Sequence, residues 1–126
     1  VTYRILITGQ RDWTDEAQVK SAIASVLRML NTNDVVVVHG DCTTGADAFA
    51  QSFCDKNGIK YHTYPADWVA HGTKAGPLRN SKMVNDGAYI CLAFWSADKI
   101  QGSGTFDCLT KAIRAGIRVI IYPRNT

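Results

Sequence analysis

The feature that most restricts this chain is a strict alternation of short apolar runs with helical patterns. The first run, Tyr3 to Thr8 (YRILIT), stops at Gly9. Asp15 to Leu30 follows, with Val19, Ala22, Ile23, Val26, Leu27 and Leu30 at the spacings of one helix face. Thr14 stands where an N-cap is wanted, and Asp15 and Glu16 suit the positive end of the helix dipole. Asp34 to Val38 (DVVVV) is β-branched on both faces, the pattern of a strand covered on both sides. His39-Gly40 ends it, and a helix over Ala46 to Lys56 is closed by Asn57-Gly58. Ile59 to Tyr64 reads as a third strand, closed by Pro65. Ala66 to Gly76 is polar, aromatic and irregular, and Pro77 then suits the first turn of a helix reaching Asn85. Ala88 to Phe94 (AYICLAF) is a fourth buried strand, and Trp95 to Ser103 a loop. Thr105 to Ala115 is a helix ended by Gly116, and Ile117 to Tyr122 is the last strand.

The order βαβαβαβαβ predicts an α/β fold with a parallel sheet and right-handed crossovers. The expected form is a Rossmann-like doubly wound sheet of five parallel strands, order 3-2-1-4-5, with helices on both faces. One nucleotide-binding domain over residues 1–126 is expected, because that length matches an ordinary domain and no repeat or linker interrupts it. Hydrophobic residues at 46% and charged residues at 20% exclude a disordered chain. A net charge of +3, without a long Lys/Arg run, argues against a nucleic-acid binder and suits a small anion. No apolar run approaches the roughly 18 residues of a membrane span. Cys42, Cys54, Cys91 and Cys108 form no C-x-x-C pair and read as free thiols. With no signal peptide ahead of the strand at Tyr3, the expected location is cytoplasmic.

In such a sheet, ligands sit beyond the carboxyl ends of the strands at the switch point, here between the first and fourth strands. Three unusual loops converge there: Gly9-Gln10-Arg11-Asp12-Trp13, Gly40 to Asp47, and Gln101 to Thr105. Gly102-Ser103-Gly104-Thr105 leads straight into a helix, whose first N–H groups have no partner in the helix and favour an anion. Ser103 and Thr105 add hydroxyl donors. The loop is neither a Walker A sequence, lacking Gly-Lys-Ser/Thr, nor the dinucleotide G-x-G-x-x-G. Gly40 and Gly45 free the second turn, and Thr44 can cap the next helix. Asp47 is a capping partner, a ligand of a ribose hydroxyl, or the residue that orders the loop. Arg11 and Arg79 are placed to hold phosphate, which arginine grips bidentately. Trp13, Trp68 and Trp95 could each stack on a base or pack as a lid. Trp95, and after it Trp13, are favoured for stacking by their place in the crevice loops. His39, Cys42, His62 and His71 match no zinc spacing, so neither a metal nor a cofactor is expected. Cys42 lacks a neighbouring base pattern for a nucleophile.

Four motifs in order carry a resemblance. They are Gly9-Gln10-Arg11-Asp12-Trp13, His39-Gly40 with Gly45-Ala46-Asp47, Ala75-Gly76-Pro77-Leu78-Arg79-Asn80, and Gly104-Thr105-Phe106-Asp107. Together they resemble the YspA/YpsA-related branch of the SLOG superfamily, which unites Smf/DprA proteins with Lonely Guy proteins. The resemblance implies a Rossmann-like fold and a nucleotide-derived ligand. Lonely Guy enzymes cleave the base from a nucleoside 5′-monophosphate with a P-G-G-x-G-T-x-x-E glutamate and an arginine. In this chain the glutamate position holds Cys108, and Asp107 stands one residue earlier, about 100° around the helix. Asp107 therefore cannot simply replace that glutamate, which counts against a hydrolase; if the chain is one, the resemblance implies Arg79 with Asp107 as the nearest carboxylate.

The expected function is binding of a nucleotide or ADP-ribose-like ligand for sensing or sequestration. Its rivals are N-glycosidic hydrolysis of a nucleoside monophosphate and single-stranded DNA binding. The expected ligand set is Gly9, Gln10, Arg11, Gly40, Thr44, Gly45, Asp47, Arg79, Asn80, Gly102, Ser103, Gly104 and Thr105. Association of the relatives, with Trp68 as an apolar contact, leads to the expectation of a homodimer or small homo-oligomer.

Overall fold

The computed structural model describes residues 1–96 and 104–122. Five parallel strands pair into one sheet, β3-β2-β1-β4-β5. They are β1 (Tyr3–Gly9), β2 (Val35–His39), β3 (Tyr61–Thr63), β4 (Ile90–Phe94) and β5 (Arg118–Tyr122). The order is the one the alternation predicts. β2 and β4 are buried at every residue, whereas β3 and β5, at the two edges, are largely open.

Because neighbouring strand residues point to opposite faces, one strand feeds two cores. Ile5, Ile7, Val37, Ile90 and Leu92 pack against α1 (Glu16–Leu30) and α2 (Gly45–Asn57). Leu6, Val36, Val38 and Cys91 pack on the other face, against α4 (Ala75–Asn85) and α5 (Gly104–Arg114). The helices thus cover both faces. None of the described helices is long and apolar enough to cross a membrane.

Local departures from the sequence reading have local causes. Asp15, not Thr14, caps α1: its carboxylate accepts from the Gln18 N–H at 3.0 Å. Thr44 precedes α2 but its hydroxyl makes no cap; it donates instead to the Arg11 carbonyl at 2.9 Å. β3 keeps only three residues, because the Ile59 N–H turns back to the Cys54 carbonyl and closes α2. The segment expected to be irregular holds a single helical turn, α3 (Trp68–His71), capped by Asp67. A 3-10 turn over Gly72–Lys74 runs from it directly into α4. Pro77 lies in the first turn of α4, where its missing N–H costs no helix bond.

Candidate functional site

The strands' carboxyl ends open into a cleft of about 870 Å³. Its walls come from the turn after β1, the turn after β2, α3, and the first turns of α4 and α5. The cleft thus lies at the switch point between β1 and β4. Gln10 marks that point, since its N–H donates to the Phe94 carbonyl at the end of β4 (3.1 Å).

The glycines on the β1–β2 side are required by the protein's own packing. A Cβ on Gly9 would collide with Ala46 and stand 3.1 Å from the Cβ of Phe94. A Cβ on Gly40 would stand 2.7 Å from the guanidinium carbon of Arg79. Gly45 has φ +76°, and a Cβ on it would run into the Gln10–Arg11 backbone, 2.8 Å from the Arg11 carbonyl oxygen. Gly104 differs: a Cβ there meets nothing within 4 Å among the described residues.

Asp47 organises the turn after β2. Its Oδ2 accepts from the Gly40 N–H at 3.1 Å and the Cys42 N–H at 3.3 Å. The side chain is buried, and burial pushes its carboxyl above the ordinary carboxylate range, against the opposing pull of His39 and the Cys42 N–H. Its Oδ1 has no partner among the described residues. His39 steadies the same turn, accepting from the Asp41 N–H at Nδ1 (3.0 Å). Cys42 lines the cleft, but burial and the nearby Asp47 raise its thiol, so it stays protonated and a weak nucleophile.

Arg79 acts first as a brace. Its Nη1 donates to the carbonyls of Gly40 and Tyr64, the latter at 3.3 Å, and its Nε donates to Asn80 Oδ1 at 2.8 Å. Nη2 lies toward Gly76 and has no hydrogen-bond partner among the described residues. Asn80 continues the chain. Its Nδ2 donates to the Gly104 carbonyl at 3.1 Å and to Asp107 Oδ2 at 3.0 Å. Lys111 meets the same Asp107 oxygen at 2.9 Å. The negative charge that α5 carries in its first turn is thereby balanced within the protein.

Cys108, at the position of the Lonely Guy glutamate, is fully buried below the cleft, and burial pushes its thiol up to about 12. A neutral thiol there supplies no carboxylate chemistry. Asp107 does line the cleft.

Gly9, Gln10, Arg11, Gly40, Asp47, Arg79, Asn80, Gly104 and Thr105 come together on the cleft wall. Thr44 and Gly45 support it from behind through the Arg11 backbone. Gly102 and Ser103 lie outside the described residues. The tryptophans require a correction. Trp13 is 2% exposed, packed edge-on to Phe94, and Trp95 packs on Phe106 with ring centroids 5.5 Å apart. Neither lines the cleft; Trp68 does. Trp13 is held in the core because its large apolar surface closes the gap between β4 and α1, leaving no ring face for a base. The sequence signal that could have placed Trp68 is Asp67 just before it, a capping residue type whose carboxylate accepts from the Ala70 N–H and starts a helical turn.

The sequence profile of the YspA, cpYpsA-related SLOG family matches residues 3–71. The chain belongs to that family. The matched stretch runs from β1 through α3 and so contains the two turns that Asp47, Gly40 and Gly45 hold together. The chain is also similar to the Gene 61 protein of Mycobacterium phage D29, 40% identical over 124 residues, covering 94% of this chain and 95% of that one. That similarity extends over α4 and α5, the half of the cleft beyond the profile match.

Proposed function

We propose that this SLOG-family protein binds a nucleotide or nucleotide-derived molecule of the ADP-ribose kind, for sensing or sequestration, with a phosphate at the N-terminus of α5. Gln10 carries the reading. It is 7% exposed, lines the cleft at the switch point, and both polar atoms of its side-chain amide are buried without a partner among the described residues. Leaving a buried polar group unpaired costs about 1–3 kcal/mol. A ligand with a donor and an acceptor facing Gln10 recovers that cost. The first amides of α5 supply the anion end, since they have no acceptor within the helix and the dipole favours negative charge. Binding is favoured over glycosidic cleavage because a neutral thiol stands at the position of the Lonely Guy glutamate.

Native mass spectrometry of freshly purified protein identifies what co-purifies, and calorimetry with AMP, GMP, CMP, UMP and ADP-ribose measures affinity. Gly104→Val is expected to keep the parent's unfolding midpoint and to lose more than tenfold in affinity, about 1.4 kcal/mol. Equal affinity in the variant would place the phosphate elsewhere. The same AMP samples are expected to release no adenine; fast release would make the protein a hydrolase.

A further inference from the structure

Resting on the nucleotide reading, we propose that Trp68 is the platform on which the ligand's base stacks. The cleft would then read a base at one end and a phosphate at the other.

Trp68 is 50% exposed, an unusual state for the largest apolar side chain, and it lines the cleft. The structure fixes the backbone that carries this indole. Asp67 caps α3 by accepting from the Ala70 N–H at 3.0 Å, and Gly72 (φ +56°) ends it with an N–H turned back to the Trp68 carbonyl. Gly76, at the start of α4, lets the ring lie close: a Cβ there would stand 3.4 Å from Cη2 of the indole. The Arg11 guanidinium sits over the ring, 5.7 Å from its centroid, and covers part of one face. A ring carried on a capped turn, with a cation beside it, is suited to an electron-rich, flat group, which is what a nucleobase offers.

The spacing along α4 favours the same ligand. Gly76 underlies Trp68, and Asn80, four residues on, holds the Gly104 carbonyl at the start of α5. Four residues of helix rise about 6 Å. The residue under the platform and the residue that holds the start of α5 are therefore one helical turn apart on α4, and Arg79 and Asn80 line the cleft there.

The test compares parent, Trp68→Phe and Trp68→Ala, with AMP and ribose 5-phosphate as probes. Calorimetry is expected to show AMP affinity falling more than tenfold in Trp68→Ala and less than threefold in Trp68→Phe, which keeps a flat ring. AMP is expected to quench the parent's tryptophan fluorescence and to leave that of Trp68→Phe unchanged; ribose 5-phosphate, lacking a base, is expected to quench neither. If Trp68→Ala binds AMP within threefold of the parent, or Trp68→Phe loses as much as Trp68→Ala, the platform is wrong and the nucleotide reading stands. If the parent binds none of the nucleotides, both fall together.

Discussion

The two sides of the cleft look alike in sequence and differ in what their glycines do. On the β1–β2 side, Gly9, Gly40 and Gly45 are each pressed by the protein's own atoms, and Asp47 ties the turn to α2 with two backbone bonds. On the α5 side, Gly104 faces open space among the described residues. Among the described residues, one side is filled by packing and the other leaves room at its glycine. A glycine next to a crevice is therefore not by itself a ligand contact: what matters is which atoms stand where its Cβ would be.

The largest test of this contrast is Gly45→Ala. The backbone at φ +76° disfavours any side chain by about 1–2 kcal/mol. The collision with the Gln10–Arg11 backbone adds about 1–3 kcal/mol of overpacking. A total loss near 2–5 kcal/mol is expected in urea unfolding. A variant as stable as the parent would mean that the two turns do not pack as described.

Gly40→Ala is expected to have the next largest effect. Its Cβ would push the Arg79 guanidinium away and break the bonds to the Gly40 and Tyr64 carbonyls. Hydrogen bonds to charged groups are worth about 1.5–3 kcal/mol, so a loss of about that size is expected. Binding should weaken with it, because Arg79 also positions Asn80 beside Gly104. A stable variant with normal binding would show that Arg79 is not the brace between the two sides.

Asp47→Asn should have the smallest effect and the clearest pH signature. The amide oxygen can keep the bonds from the Gly40 and Cys42 N–H groups. Burial raises the folded-state value of Asp47 above its unfolded value, so the protonated form is the better tolerated one in the native state. Parent stability from this group is therefore highest below the ordinary carboxylate range. It falls as pH rises through that range toward the raised value, because the unfolded chain gives up its proton first. The asparagine variant lacks this dependence. The difference in unfolding free energy between variant and parent is expected to shift toward the variant from pH 3 upward. A constant difference across that range would mean that Asp47 titrates normally.

Much of the fold was readable because it depends on local patterns. The i, i+3, i+4 stripe of α1, the β-branched run of β2 and the Asn57-Gly58 stop each act through nearby residues, and each lies where it was expected. The capping residue of α1 was missed by one position, because Thr14 and Asp15 both have capping side chains and only the path of the entering chain selects between them. The cleft residues were readable as a set, since α/β topology sends the ends of β1, β2 and β4 to one edge. Their individual roles were not. Arg79, which carries the mark of an anion ligand, directs two of its nitrogens to the protein's own acceptors. Trp13 and Trp95, in crevice loops by sequence, pack against Phe94 and Phe106.

The sequence by itself determined the alternation of elements, the parallel sheet and its order, and the edge at which the cleft opens. Periodicity and turn chemistry act over a few residues, and the handedness of crossovers then leaves few topologies open. Only the tertiary structure decided which glycines are filled by neighbours, which carboxylate is buried, and which of three tryptophans faces the cleft. Those outcomes depend on contacts between residues far apart in the chain: Gly40 with Arg79, Asn80 with Gly104, and Arg11 with Trp68. No local pattern encodes such a distance, because it is set by how the two sides of the sheet are assembled.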